Sequence, residues 1–432
     1  MGKPRTHRSL LVFSLLGVLS MALAACNAPG SNNSSTSNGV ITAGVLAPLT
    51  GNGAPSGQDM ENGWNLYFQL NGDKVCNGSY TIKTIVEDTA GLPDTGVSKA
   101  RALVEQDGAA FLVGPLFANV GYAVAAYTES KHIPLFPAIA SSDDLTQRQA
   151  NPYVLRVAGW TSSLPSHPFG NWILQNYPQY KNIVTIGEDY AFGYENVGGF
   201  VDTFTAGGGH IVKQLWTPLN TTDYSPYLAQ IKALHPDAVY ALFVGGDAPR
   251  FMKAYSDYGL KSTIPLIGGE TTTDQSLLRH MGPEAQGVIT AGHFAEGRND
   301  PATQNFDAAW QKAYNQYPSY YAAAMYTAAQ WIVAAINKAD CKITGSNVQG
   351  FLNAIKSTTL TDSALGPMKL DSYGNPIENV YIRKVETNSA GVQWNAVIAT
   401  IPNVSQFGTV DPATYLQQPP YSKTFQGKSY HP

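Results

Sequence analysis

Residues 111–148 read FLVGPLFANVGYAVAAYTESKHIPLFPAIASSDDLTQR and contain a complete α/β motif. The apolar run at 111–113 reaches a Gly-Pro pair, after which residues 119–131 have the spacing of a helix. A second apolar run at 133–136 ends in a proline and leads into two serines and two aspartates. Strand, loop, helix, strand and loop in this order are typical of a parallel sheet.

Two loops of this motif form a predicted half-site for a small molecule. They are residues 116–119 and 138–142, and each follows one of the two strands. In open α/β sheets the ligand crevice lies at the carboxyl ends of the strands. We therefore expect the rest of the chain to supply a second half-site and a hinge.

The same alternation of strands and helices extends in both directions. Further strands are predicted at 41–46, 80–87, 154–157, 183–186, 211–216, 238–244, 266–268, 287–292, 368–370 and 380–386. Helices are predicted at 58–70, 95–106, 196–206, 224–234, 249–258, 320–338 and 348–357. The Pro- and Tyr-rich residues after Thr409 are predicted to be a loose tail. The two runs of alternation indicate two α/β lobes with a cleft between them.

Composition and motifs exclude several classes of protein. The chain has 432 residues, of which 44% are hydrophobic and 13% are charged, and its net charge is −4. The sequence has no Lys/Arg run that would indicate nucleic acid binding. It also has no GxGxxG motif opening either lobe and no GxSxG, HExxH or Cys/His cluster, so no cofactor, metal or catalytic site is expected.

Residues 1–25 have the features of an export signal. Three basic residues precede an apolar run at 10–22, which is too short to span a bilayer. The sequence LAAC at 23–26 resembles the lipobox of bacterial lipoproteins, although cleavage at a nearby small-x-small site is an alternative. Residues 26–39 are rich in Ser, Asn and Gly and would form a flexible tether. These features predict an extracytoplasmic protein that is anchored to the outer face of the bacterial cell membrane through lipid on Cys26.

Several short segments occur in a fixed order along residues 40–400. They are GQDMENG at 57–63, LVGPL at 112–116, LTQR at 145–148, GLK at 259–261, GGE at 268–270, and GPMKLD at 366–371 with Gly374. Together they resemble the leucine/isoleucine/valine-binding-protein family, the type I periplasmic solute-binding proteins of ABC importers. The resemblance implies a two-lobed fold in which each lobe is a parallel-sheet α/β sandwich. Three crossovers would form the hinge, and the lobes would close on the ligand.

The resemblance also implies domain boundaries. The first lobe would consist of residues 40–157 and 296–365, and the second of residues 158–295 and 366–408. Residues 409–432 would be the tail.

Ligand contacts carried over from the family fall on both lobes. In the first lobe they fall on Leu116, Phe117, Ala118, Asn119, Ile139, Ala140 and Ser141. In the second lobe they fall on Phe192, Gly245 and Glu270, and Trp160 and Tyr321 are further candidates for the cleft wall. Amide groups at the start of the helix near Asn119 would bind a carboxylate, because a helix N-terminus has orphan donors and a partial positive charge. Asn119 could replace the serine hydroxyl that the family has at Ala118.

Glu270 corresponds to the acid that pairs with the ammonium group of the ligand. A buried carboxylate needs a cationic partner, so Glu270 favours a ligand that carries an amine. Several predicted contacts also have a purely structural interpretation. Glu270 would then be a surface or capping acid, Ser141 a turn residue, Trp160 and Phe192 core aromatics, and Asn119 an N-cap.

Cys76 and Cys341 each follow a helix that runs away from the cleft in the implied fold. Both should therefore lie at the far end of the first lobe. An exported compartment favours oxidation, which predicts a disulfide between them. Two free buried thiols are the alternative.

These features predict a solute-binding protein without enzymatic activity, with an ABC permease and its ATPase as partners. The ligand would be an amino acid or a similar molecule, and amides and aromatic acids are open because the family's serine and two tyrosines are not kept. A receptor lobe that senses a ligand without transport is one alternative. An exported hydrolase is another, but it would need a nucleophile beside a base.

Overall fold

The computed structural model describes residues 39–430. The predicted export signal, Cys26 and all but the last residue of the predicted tether lie outside the described residues. Within residues 39–430, no helix is both long and apolar enough to cross a membrane.

The first part of the chain forms a five-stranded sheet and three helices. The strands are β1 (Gly39–Ala47), β2 (Lys74–Val75), β3 (Tyr80–Asp88), β4 (Phe111–Val113) and β5 (Leu135–Phe136), and the helices are α1 (Ala54–Asn71), α2 (Pro93–Glu105) and α3 (Ala118–Lys131). The strand order is β2-β3-β1-β4-β5, with all pairs parallel except β2 with β3. The βαβ motif at 111–148 is confirmed as β4, α3 and β5. The predicted strand at 154–157 contributes only one bridge, between Val154 and Leu135.

The second part repeats this arrangement. Its strands are β6 (Asn182–Glu188), β7 (His210–Thr217), β8 (Ala238–Leu242), β9 (Leu266–Gly269) and β10 (Ile289–Gly292). Its helices are α4 (Ser166–Asn176), α5 (Ala191–Ala206), α6 (Ser225–Leu234), α7 (Asp247–Asp257) and the short α8 (Gln275–Leu278). The strands are mutually parallel in the order β10-β9-β8-β6-β7. Strand β8 is buried along its whole length, as expected for a parallel sheet covered on both faces.

The last part of the chain serves both lobes. It contains α9 (Pro301–Tyr314), α10 (Tyr320–Lys338), α11 (Val348–Ser357), β11 (Thr359–Leu360), β12 (Met368–Leu370), β13 (Pro376–Thr387), β14 (Gln393–Val404) and α12 (Pro412–Leu416). Helix α10 packs along α1 of the first lobe, whereas β11 to β14 extend the second sheet to nine strands. The chain thus passes between the lobes three times. Strand β11 pairs with β12. The predicted lobe boundaries, including the last one at residue 365, remain a prediction.

Helices α1 and α10 are in close contact in the first lobe. A side chain added at Gly63 would begin 2.2 Å from the carbonyl oxygen of Ala322. Beyond the ends of these helices, Cys76 and Cys341 have Cα atoms 6.2 Å apart, within the range of disulfides.

The residues after Thr409 are ordered against the second lobe, which corrects the prediction of a loose tail. The Tyr421 hydroxyl donates to Asp202 at 2.8 Å, and Lys423 pairs with Asp189 at 2.8 Å. Gln426 is only 1% exposed. The polar and aromatic side chains of this segment hold it in place although its sequence has little regular periodicity.

Candidate functional site

A small cavity lies where the loops of the two lobes meet. It is lined by Leu116, Ala118, Ile139 and Ser141 of the first lobe, by Tyr190, Phe192, Val244 and Thr271 of the second, and by Tyr320 and Tyr321 at the start of α10. Its volume is about 10 Å³, close to the space that one water molecule needs. The lobes are therefore closed on each other, and they must separate to admit a ligand.

The N-terminus of α3 forms one end of this inter-lobe cavity. The helix begins at Ala118, directly after the loop that follows β4. The first amides of a helix have no intrahelical acceptor and lie at its positive end. The amide of Val120 donates to the Asn119 side chain at 3.0 Å. Asn119 does not line the cavity. It is not the N-cap of the helix either, because that position is Phe117 and Asn119 lies within the first turn.

The loop after β5 contributes backbone and one hydroxyl. The Ser141 hydroxyl lies 3.1 Å from the Ser162 hydroxyl, which donates to Glu195 at 2.7 Å. The carbonyl of Ala140 accepts a hydrogen bond from the buried Arg156 guanidinium. Ala140 thus fixes the shape of the loop, whereas Ile139 and Ser141 face the cavity.

Trp160 lies behind the aromatic wall of the cavity. Its ring stacks on His293 with centroids 5.0 Å apart and meets Phe192 and Tyr320 edge-on, both at 6.0 Å. Its indole nitrogen is buried and has no hydrogen-bond partner among the described residues. Trp160 therefore supports the two rings that line the cavity.

Glu270 is fully buried and has protein partners on both carboxylate oxygens. Arg383 donates to it at 2.8 Å, the His293 ring nitrogen Nδ1 lies 2.7 Å away, and the amide of Phe294 donates at 3.1 Å. Burial alone would raise the pKa of Glu270, but the charges of His293 and Arg383 outweigh burial and hold it below its ordinary value. The argument that Glu270 calls for a ligand amine is thereby corrected, because Arg383 already supplies the cation.

The structure brings only part of the predicted site together. Of the predicted contacts, Leu116, Ala118, Ile139, Ser141, Phe192 and Tyr321 line the cavity, and Phe117, Asn119, Ala140, Trp160, Gly245 and Glu270 do not. Phe117 packs against two loop glycines, and Gly245 lies against the backbone of Asn52. Four further lining residues are not among the contacts predicted from the sequence, although each lies within two residues of a predicted one: Tyr190, Val244, Thr271 and Tyr320. The sequence therefore predicts loops that reach the cavity, but it does not predict every side chain that faces the cavity.

The chemistry of the cavity is that of a binding site. Among the described residues that line it, none carries a charge. The hydroxyls of Thr271 and Tyr321 are buried without a partner in the described part of the chain and are free to bind a polar group. Within residues 39–430, no three His, Cys, Asp or Glu side chains form a group that could hold a metal ion.

Comparisons with known proteins agree with this architecture. A family model described as periplasmic binding protein matches residues 40–391. A Leu/Ile/Val-binding protein homolog of Brucella abortus is 28% identical over 401 residues, which cover 90% of this chain and 96% of the relative.

Two solved structures from Rhodopseudomonas palustris also resemble the chain. One is an ABC transporter solute-binding protein in complex with 3,4-dihydroxybenzoic acid, with 29% identity and a TM-score of 0.79, covering 85% of this chain and 98% of that protein. The other is a solute-binding protein in complex with benzoate, with 27% identity and a TM-score of 0.77, covering 85% and 98%.

The family match spans most of the chain, and the two lobes with the cavity between them have the architecture that the sequence resemblance predicts. The matching family model describes periplasmic binding proteins, and the two structural neighbours are solute-binding proteins of ABC transporters with small ligands bound. The chain therefore belongs to the periplasmic binding protein family, as a substrate-binding protein of the Leu/Ile/Val-binding type and not an enzyme.

Proposed function

We propose that the chain captures an aromatic carboxylate between its lobes and delivers it to an ABC transporter. The observation that carries the proposal is the lining of the inter-lobe cavity. It combines the N-terminal turn of a helix with aromatic rings and hydroxyls, and it has no charged side chain among the described lining residues. Such a lining suits a flat apolar body with one anionic end.

The carboxylate would bind at the N-terminus of α3. Orphan amide donors and the positive end of the helix favour an anion there, and no side-chain cation is required. Ser141 lies on the same side of the cavity as Ala118. The aromatic body would lie among Tyr190, Phe192 and Tyr320, where ring contacts add to the free energy of burial.

Two further observations favour an aromatic acid over an amino acid. Glu270 is paired with Arg383, so it is not an uncompensated charge that requires a ligand ammonium. In addition, two neighbours of known structure, at 29% and 27% identity, have aromatic carboxylates bound.

An amino acid is the second candidate. Its support is Glu188, which is fully buried next to the cavity and accepts from the amide of Val244 at 3.2 Å. The other carboxylate oxygen of Glu188 has no partner among the described residues. A ligand ammonium could pair with it after a small rearrangement, and the Leu/Ile/Val-binding relatives make this candidate worth testing.

A ligand screen tests the two candidates directly. We expect benzoate and 4-hydroxybenzoate to raise the melting temperature and to show saturable binding by calorimetry, whereas leucine and benzamide should do neither. Ala118→Glu should abolish this binding, because it introduces a carboxylate at the anion site. Ala126→Glu is the matched control on an exposed position of the same helix. Stabilisation by leucine but not by aromatic acids would overturn the proposal.

We also propose lipid attachment at Cys26 and a covalent bond between Cys76 and Cys341. The lipobox-like sequence at 23–26 supports the first, and the 6.2 Å separation of the Cα atoms supports the second. Mass spectrometry of protein extracted from membranes, before and after reduction, tests both. A Cys26→Ser variant that stays in the membrane fraction would contradict lipid anchoring, and reaction of both remaining cysteines with an alkylating agent before reduction would contradict the disulfide.

A further inference from the structure

A second cavity lies on the second lobe, between α4, α5 and the C-terminal segment. Its volume is about 270 Å³, slightly below the range of about 300–1,000 Å³ that is common for ligand pockets. It shares no lining residue with the inter-lobe cavity. Nothing in the proposed capture of a carboxylate uses it.

One end of this second cavity presents hydrogen-bond acceptors. Asp202 lines it, and its carboxylate accepts from the Tyr421 hydroxyl at 2.8 Å through one of its two oxygens. Because the only proton of that hydroxyl goes to Asp202, the Tyr421 oxygen must accept from His167, whose Nε2 lies 2.8 Å away. Nε2 therefore carries the ring proton, and Nδ1 of His167 is left with a lone pair.

His167 is built into the wall of the cavity. The residue is only 6% exposed, and its Nδ1 has no partner among the described residues. Nδ1 lies 4.0 Å from the point where a side chain on Gly408 would begin. Burial lowers the pKa of His167 to about 4, which keeps the ring neutral at pH 7.

The rest of the cavity is mainly apolar or uncharged. Ile401, Val404, Phe407 and Tyr415 contribute to its walls, and the rings of Phe407 and Tyr415 meet edge-on at 5.4 Å. No lysine or arginine is among the described residues that line it. Arg148 stands over the Tyr415 ring, 5.7 Å from its centroid, but it is paired with Asp144 at 2.8 Å.

We propose that this second cavity binds a small organic ammonium ion with a compact apolar body. The ammonium could donate to the carboxylate of Asp202, which is the only charged side chain among the described residues that line the cavity. The apolar body would pack against Phe407 and Tyr415. A carboxylate would be repelled by Asp202 and would meet no cation. The second cavity therefore favours a cationic ligand, whereas the proposed site in the cleft favours an anionic one.

The proposal is tested by calorimetry of the full-length protein with 2-phenylethylammonium as the probe. We expect one saturable site. Asp202→Asn should weaken it about tenfold or more, because a charge-assisted hydrogen bond is lost. Asn171→Lys should also weaken it, since Asn171 lies at the exposed rim and the substitution adds a like charge. Asp257→Asn is the control, as Asp257 is an exposed acid of the same lobe outside the cavity.

The Asn171→Lys variant keeps the test decisive even if Asp202→Asn loosens the C-terminal segment. Binding of the probe that persists in the Ala118→Glu cleft variant supports the second cavity. Loss of binding in that variant would instead assign the probe to the cleft and overturn the proposal. No saturable heat at millimolar probe, or equal binding by Asp202→Asn, Asn171→Lys and the wild type, would overturn it as well.

Discussion

The pair formed by Glu270 and Arg383 fixes the geometry of the loop that carries Thr271 into the inter-lobe cavity. The Arg383 guanidinium also donates to the carbonyl of Glu270 at 2.8 Å and to that of Phe294 at 2.7 Å. Both charged side chains are at most 1% exposed. A buried ion pair adds little net stability over an apolar pair, but removal of one partner is costly because the other charge stays buried.

Arg383→Met should therefore lower the free energy of unfolding by about 3–5 kcal/mol. Lys384→Met, at the next and half-exposed position, removes only a surface pair with Glu386 and should change it by less than about 0.5 kcal/mol. Urea unfolding at pH 7 measures both.

Because the pKa of Glu270 is lowered in the folded protein, its stabilising effect is present above its ordinary pKa and is lost as the pH falls through the lowered value. The deficit of Arg383→Met should thus shrink in acid, and equal losses in the two variants would contradict the role of the pair.

The contact between α1 and α10 connects the last part of the chain to the first lobe. Ring contacts accompany it, with Tyr67 and Tyr326 edge-on at 5.4 Å. Helix α10 begins with Ser319 as a side-chain cap, contains several alanines, and carries Tyr320 and Tyr321 to the cavity in its first turn. The position of α10 against α1 therefore also determines where the two tyrosines meet a ligand.

Gly63→Ala should disturb this contact and lower stability by about 1–3 kcal/mol, because the added carbon would lie 2.2 Å from the backbone oxygen of Ala322. Gly350→Ala is the comparison, since Gly350 lies in helix α11 with nothing within 4 Å of the added carbon. That substitution should stabilise the protein by up to about 1 kcal/mol. Thermal unfolding distinguishes the two, and a Gly63→Ala variant as stable as Gly350→Ala would show that the helices can separate without cost.

Elements with a strong local pattern could be predicted from the sequence. The motif of β4, α3 and β5 follows from apolar runs and turn residues, and α10 has the bounds that its spacing predicts. The stretch at 154–157 looks like a strand because all of its residues except Arg156 are apolar, but buried loops are rich in apolar residues too. The order of the C-terminal segment depends on partners such as Asp202, more than 200 residues away in the chain, and no local pattern reveals them.

The limits for the candidate site have the same physical origin. Arg383 lies 113 positions from Glu270, so the sequence gives no sign that the acid already has a cation. Likewise, a loop's position in the sheet follows from the order of strands, but which of its side chains faces inward depends on backbone angles. For that reason the sequence predicts a ligand contact at Glu270, whereas its neighbour Thr271 lines the cavity.

At the scale of the whole molecule, closure of the lobes buries polar contacts at several points besides the cavity. The Ser56 and Ser276 hydroxyls lie 3.0 Å apart, and Tyr122 donates to Glu195 at 3.3 Å. Asp59 of α1 pairs with Arg279 of the other lobe. These groups become exposed when the lobes separate, so the free energy of closure, and with it ligand affinity, includes their desolvation.

Asp59 makes closure depend on pH. Burial in the closed protein raises the pKa of Asp59 to about 6, although Arg279 acts in the opposite direction and the nearby Asp274 adds to the rise. A carboxyl whose pKa is raised by closing takes up a proton as the lobes close. Closure is therefore favoured below that pKa, and the advantage is lost as the pH rises through it.

If Asp59 has an ordinary pKa in the open protein, ligand affinity should fall about tenfold between pH 5 and pH 7, a range in which a simple carboxylic acid ligand is mostly ionised. Asp143 and Glu195, whose pKa values burial also raises, lie at another inter-lobe contact, where the amide of Asp143 donates to Glu195 at 3.1 Å, and they should act in the same direction. Asp59→Asn should therefore reduce the pH dependence without removing it, because asparagine resembles the protonated acid. Glu61→Gln, on the same helix, should keep the full dependence. Calorimetric titrations with the ligand that the screen identifies measure these slopes, and identical slopes for Asp59→Asn and the wild type would mean that Asp59 titrates alike in the open and closed forms.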